Sequence, residues 1–144
     1  MSKYYIGIMC GTSLDSIDIS IASITGKRIL VKFFDEYKLD PALKDIINEI
    51  KTNSRSSNNL KKVNSSITFL IAKNVQQSIS KYKLSYKDIH AVGFTGITLN
   101  HRPDLKTSTF IGDPILLSKK LKITVVSDFR QTDIDAGGQG APLA

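Results

Sequence analysis

Tyr4-Tyr5-Ile6-Gly7-Ile8-Met9-Cys10-Gly11-Thr12-Ser13-Leu14-Asp15-Ser16-Ile17-Asp18-Ile19-Ser20-Ile21-Ala22 carries the signature of the fold. The apolar run 4–9 stops at Gly11-Thr12-Ser13, as a buried strand does on entering a tight turn. Ile17, Ile19 and Ile21 then alternate with Asp18, Ser20 and Ala22, the period-two pattern of a strand with one buried face. Thr25-Gly26-Lys27 supplies a second turn, and residues 29–37 are again rich in β-branched and aromatic side chains. Residues 4–38 therefore read as a three-stranded antiparallel meander.

Downstream, Asp40 caps a helix that opens on Pro41, with Leu43, Ile46, Ile47 and Ile50 on one face. Residues 52–59 are polar and aperiodic and read as a loop. From Val63, the positions Ile67, Leu70, Ile71, Val75, Ile79 and Tyr82 predict a second, longer helix. Ser85 to Asp88 has capping-box spacing, leading into a strand over 89–94 that ends at Thr95-Gly96. A short helix over 114–120 and a buried strand over 123–126 follow. The order predicts one mixed α/β domain with a sheet core, spanning residues 1–144. No internal repeat and no low-complexity tract is present.

The 144 residues, 41% apolar and 23% charged, suit one globular domain. The net charge is +7, but 16 Lys against 4 Arg, spread along the chain and not gathered in a stripe interleaved with aromatics, describe a solvated surface and not a nucleic-acid face. No apolar run approaches the roughly 18 residues of a membrane span, and the N-terminus lacks a signal-peptide pattern. A cytoplasmic protein bound to neither membrane nor nucleic acid is expected. Cys10 is the only cysteine, so an intrachain disulfide is excluded.

Two segments carry candidate chemistry. Gly11, Thr12, Ser13, Leu14, Asp15, Ser16, Ile17 and Asp18 form a glycine turn with hydroxyls and two carboxylates, suited to phosphate oxygens with Asp15 toward Mg²⁺. The competing reading is a plain β-turn with locally bonded Ser and Asp. Residues 127–143 hold three aspartates, Arg130 and three glycines in four positions just past a buried strand, which describes a ligand-side loop. Arg130 suits an anionic or hydroxyl-rich ligand and Asp133 a sugar hydroxyl or a metal-bound water. The competing reading pairs Asp128 with Arg130 on the surface and makes residues 137–140 a flexible tail. His90 reads as structural, and His101 as lying in an exposed loop.

Together, residues 9–18 and Asp128-Phe129-Arg130 with Asp133 and Ala136-Gly137-Gly138-Gln139-Gly140-Ala141-Pro142-Leu143 resemble the anhydro-N-acetylmuramic acid kinase family. Ile111-Gly112-Asp113-Pro114 and Thr124-Val125-Val126 fall in that family's order. The resemblance implies a ribonuclease-H-like lobe of the actin-like ATPase superfamily and an ATP-dependent sugar kinase of peptidoglycan recycling. That enzyme opens the 1,6-anhydro ring with water while phosphorylating the 6-oxygen. It implies that residues 11–18 hold the phosphates of ATP, that Asp15 serves Mg²⁺, and that Arg130, Asp133 and Thr98 face the sugar.

The pattern departs from the family at Thr95-Gly96-Ile97-Thr98, where a His-Gly-Gln-Thr turn is expected, at Phe110 in place of Gln, and at Ser16 in place of Gly. The family's catalytic aspartate and second lobe fall beyond Ala144. One lobe with little or no kinase activity of its own is therefore expected, either completed by a second chain or a piece of a longer working enzyme. A non-catalytic remnant or a sugar- or nucleotide-binding module is the alternative. Loss of a facing lobe is expected to leave Phe94, Ile97 and Phe110 exposed and the chain prone to self-association.

Overall fold

The structure, a computed structural model, describes residues 3–52, 57–105 and 107–141. In chain order its elements are β1 (Tyr4–Met9), β2 (Ser16–Thr25), β3 (Arg28–Lys38), α1 (Pro41–Thr52), α2 (Ser57–Lys81), β4 (Ile89–Phe94), β5 (Ile97–Arg102), β6 (Thr107–Ile111), α3 (Pro114–Leu121), β7 (Val125–Val126) and α4 (Phe129–Asp135). The meander is present as read, with Ile6 opposite Ile21 and Ile8 opposite Ile19. β4 adds parallel to β1, and β7 parallel to β4, giving a five-stranded mixed sheet in the order β3-β2-β1-β4-β7. This is the mixed α/β lobe expected from the sequence.

α1 and α2 begin and end by different physics. Asp40 Oδ1 accepts the Ala42 amide at 2.8 Å, the expected cap of α1. α2 begins at Ser57, before the apolar periodicity, and its buried apolar side chains start at Val63. Thr52 and residues 57–59 are accordingly helical and not loop. Residues 53–56 of that polar stretch, like Pro142 and Leu143 of the second signature, lie outside the described residues. Asp113 caps α3 by accepting the Leu116 amide at 2.8 Å, and α3 ends on Lys122 in the left-handed region, φ 56°.

Two further elements differ from the reading. Residues 97–111, beyond the expected glycine turn, form a separate β5–β6 hairpin whose register shifts between Thr98 and Asn100, which breaks the apolar alternation that marks a strand. Residues 129–135, read as loop, are α4; its aspartates and the left-handed Asp128 (φ 68°) conceal it from pattern reading. β7 covers only two of residues 123–126, although the Thr124 carbonyl still accepts the Val92 amide at 2.9 Å.

The core lies on one side of the sheet, where Ile6, Ile19, Ile21, Val92 and Phe94 meet Ile47 of α1, Ile67, Ile71 and Ile79 of α2, and Leu117 of α3. Phe94 and Ile97 are each 1% exposed, so the apolar exposure expected there is absent. Their packing explains why: Ile97 opens the β5–β6 hairpin with its side chain in the core, and Phe110 of the same hairpin meets Phe94 edge-on at 6.3 Å. Exposed apolar side chains occur instead at Met9, Ile29, Leu30, Val31 and Phe34. No helix among the described residues is long and apolar enough to cross a membrane.

Candidate functional site

β1, β4 and β7 are adjacent and parallel, so their carboxyl ends deliver residues 10–15, Thr95-Gly96 and residues 127–140 to one end of the sheet. In open α/β sheets that end is where ligands bind. Both candidate segments are therefore brought to the same end of the lobe from sequence positions more than a hundred residues apart.

The first segment is fastened by Leu14. Its side chain is fully buried, its φ is 56°, and its amide donates to the Gly11 carbonyl at 3.1 Å. Gly11, Thr12, Ser13 and Asp15 are left exposed, whereas the Leu14 and Ile17 side chains belong to the core. Ser16 donates its hydroxyl to Asp18 at 2.8 Å, so the residue in place of the family glycine opens β2 instead of lining the turn. Asp15 accepts a hydrogen bond from Lys44 Nζ of α1 at 2.7 Å. That bond, followed by one from Ser13, holds the Asp15 carboxyl below its ordinary pKa. Lys51 Nζ, also from α1, lies 3.5 Å from the Thr12 carbonyl oxygen.

The second segment is a closed loop. Asp133 Oδ2 accepts the Gly140 amide at 2.8 Å, and Arg130 Nη1 donates to the Gly140 carbonyl at 2.8 Å. A side chain at Gly138 would overlap the Asp133 carboxylate, and one at Gly140 would press on Ile134 and His101. The glycines are thus required by close approach, and residues 137–140 are not a loose tail. Gln131 Oε1 accepts the Ser108 amide at 3.1 Å, joining α4 to β6. The Arg130 guanidinium reaches Gly140, in contrast to the surface pairing with Asp128 weighed from sequence.

His101 lies in β5 and not in an exposed loop; its Nδ1 and Arg130 Nε are buried without hydrogen-bond partners among the described residues. His90 is exposed and stands edge-on to Tyr5 at 5.2 Å. Thr98 pairs with Phe110 across the hairpin. Phe110 packs against Gly96, where a side chain would overlap its ring, so Gln-to-Phe at this position is accommodated by a glycine at φ 72°. Sequence reading passed over Lys44 and Lys51, because their partners lie 29 and 39 residues away.

A cavity of about 390 Å³ opens on the uncovered sheet face, lined by Gly7, Met9, Asp18, Phe34, Gly93 and Phe129 among others. Among the described residues no three His, Cys, Asp or Glu side chains converge to hold a metal ion.

The family model described as anhydro-N-acetylmuramic acid kinase matches residues 3–144. The chain belongs to that family. Anhydro-N-acetylmuramic acid kinases similar to it include that of Pelagibacter ubique, 40% identical over all of this chain and 40% of the relative. Those of Gamma-proteobacterium EBAC31A08 (38%) and Sulfurimonas denitrificans (37%) align with 98% and 99% of this chain and 39% of each relative. The chain thus spans about two fifths of the length of these anhydro-N-acetylmuramic acid kinases, and both candidate segments fall inside the match.

Proposed function

We propose that this chain is a single lobe of an ATP-dependent kinase acting on 1,6-anhydro-N-acetylmuramic acid, with residues 11–18 toward the nucleotide phosphates and Arg130, Asp133 and Thr98 toward the sugar. The observation that carries the reading is the arrival of the exposed 11–15 turn and the closed 128–140 loop at the same carboxyl end of three parallel strands. Gly11, Thr12 and Ser13 are exposed, and phosphate sites are built from the backbone amides and hydroxyls of such small residues. Asp15 is exposed, and one carboxylate is what Mg²⁺ takes when phosphates and water supply the rest. Mg²⁺ there supplies neutralisation of phosphate charge.

In the overall reaction, water opens the anhydro bridge at the anomeric carbon while the sugar 6-oxygen takes the γ-phosphoryl group and ADP leaves. Arg130 and Asp133 orient the sugar through the rigid loop that Gly140 closes. Phosphoryl transfer needs an aligned base and charge stabilisation on both sides of the γ-phosphate. A second lobe, on the same polypeptide or a partner chain, supplies what these residues do not, and the lobe tested alone binds without turnover.

A second reading, a non-catalytic sugar- or nucleotide-binding module, is favoured by Ile97 being wholly core and Phe110 packing on Gly96 where the family pattern is polar. Calorimetric titration with Mg-ATP and with the anhydro sugar, beside a coupled ADP-release assay, tests the proposal. Saturable binding of both, with Asp15→Asn weakening Mg-ATP more than Asp133→Asn does, supports it. Equal effects of the two substitutions argue against the phosphate turn, and absence of binding to either ligand removes the proposal. ADP release that depends on the anhydro sugar, once the remaining polypeptide of a relative is added, separates the kinase from the binding module.

A further inference from the structure

We propose that Lys44 and Lys51 of α1 are the counter-charges of the 11–15 turn, holding it in shape and recruiting the phosphates that it receives. The inference rests on the reading of that turn as a phosphate site. Between Lys3 and Lys27 the sequence has no Lys or Arg, while Asp15 puts a carboxylate at the turn and Asp18 adds a second in the following strand. Left alone, such a turn repels a polyphosphate. Its positive charge has to come from another element.

α1 provides it by helical geometry. Lys44 and Lys51 are seven residues apart, two turns of helix, and project from the same face. Ile47, between them on that face, is fully buried in the core, which fixes how α1 is rotated against the sheet. The two ammonium groups consequently meet opposite ends of the turn, Lys44 at Asp15 (2.7 Å) and Lys51 at the Thr12 carbonyl (3.5 Å).

Each ammonium has three donors, so Lys44 keeps two beyond the Asp15 bond, and its side chain is 36% exposed. Lys44 also borders a cleft of about 380 Å³ lined by Asp15, Glu36, Lys38 and Pro41. Glu36 is the opposing charge there and Lys38 offsets it. With Lys44 in place the Asp15 carboxylate is balanced before any ligand arrives, and Lys51 adds a positive charge at the other end of the turn.

The test is Mg-ATP titration of the wild-type chain and of Lys44→Gln, Lys51→Gln, the double variant and Lys44→Arg, at low and at physiological salt, with thermal unfolding of each. Wild-type affinity should fall as salt rises. Each glutamine substitution should weaken binding about tenfold, the loss expected for a charge-assisted hydrogen bond. Lys44→Arg should restore it, and the unfolding temperatures should stay close to wild type. A double variant that binds as tightly as wild type, or wild-type binding that salt does not change, overturns this inference and leaves the proposed function standing. A wild-type chain that does not bind Mg-ATP overturns both. Should a glutamine variant fail to fold, the salt dependence of the wild type and the Lys44→Arg comparison decide the matter.

Discussion

Ser78 of α2 donates its hydroxyl hydrogen to Asp35 Oδ2 of β3 at 2.6 Å, inside the helix–sheet interface. Tyr82 Oη donates to the other carboxylate oxygen at 2.9 Å, and Lys81 Nζ bonds the same atom. Tyr37 Oη and Ser78 Oγ are 2.9 Å apart, extending the network. Asp35 is 7% exposed and depends on these partners. Asp35→Ala should lower unfolding free energy by about 2–4 kcal/mol in urea titration. Lys81→Ala should cost less, because its side chain is 58% exposed.

The same carboxyl sets an acid limit. Burial raises the Asp35 pKa, but hydrogen bonds from Lys81, Ser78 and Tyr82 outweigh it and leave the group below its ordinary value. Unfolded, it titrates near pH 3.9. Its contribution is therefore present above about pH 4–5 and is lost as pH falls through the folded value. Unfolding free energies measured from pH 7 to pH 3 should fall less steeply in Asp35→Asn than in wild type.

Cys10 should be a sluggish nucleophile. Burial, followed by the Asp18 charge, pushes its thiol up to about 11 from 9.0. At pH 8 the thiolate fraction is about 100-fold below that of an unperturbed thiol. Iodoacetamide alkylation, followed by mass spectrometry, should be slower by at least that factor in the native chain and should reach the free-thiol rate in urea.

Gly112 joins β6 to α3 at φ 117°, and a side chain there would enter the Phe94 ring. Its amide donates to Asn64 Oδ1 at 2.6 Å, while the Asp113 amide donates to Thr68 Oγ1 at 2.9 Å. Gly112→Ala should destabilise by about 3 kcal/mol or more in urea unfolding. Combined with Phe94→Leu, it should cost less than the sum of the two substitutions if the ring is the cause.

The meander was legible because Ile17, Ile19 and Ile21 alternate strictly and two glycine turns bracket β2; α2 was legible from five turns of apolar periodicity. α4 was hidden because three aspartates and a left-handed start mimic a loop. The β5–β6 hairpin was hidden by its bulge and by pairing outside the main sheet. At the site, Asp15, Arg130 and Asp133 stood out by residue type, but their partners Lys44 and Gly140 are tertiary facts. Arg130 and Asp133 both close on Gly140, which no spacing rule reveals.

β3 is a border strand of the sheet, and at its start Ile29, Leu30 and Val31 are 70%, 55% and 58% exposed. Three apolar residues beside unpaired backbone groups form a template on which a foreign strand can lengthen the sheet. Arg28 and Lys32 bracket this run as gatekeepers, and the +7 net charge keeps copies apart. Salt that shortens the reach of those two cations should therefore weaken their protection of this hairpin tip against strand addition.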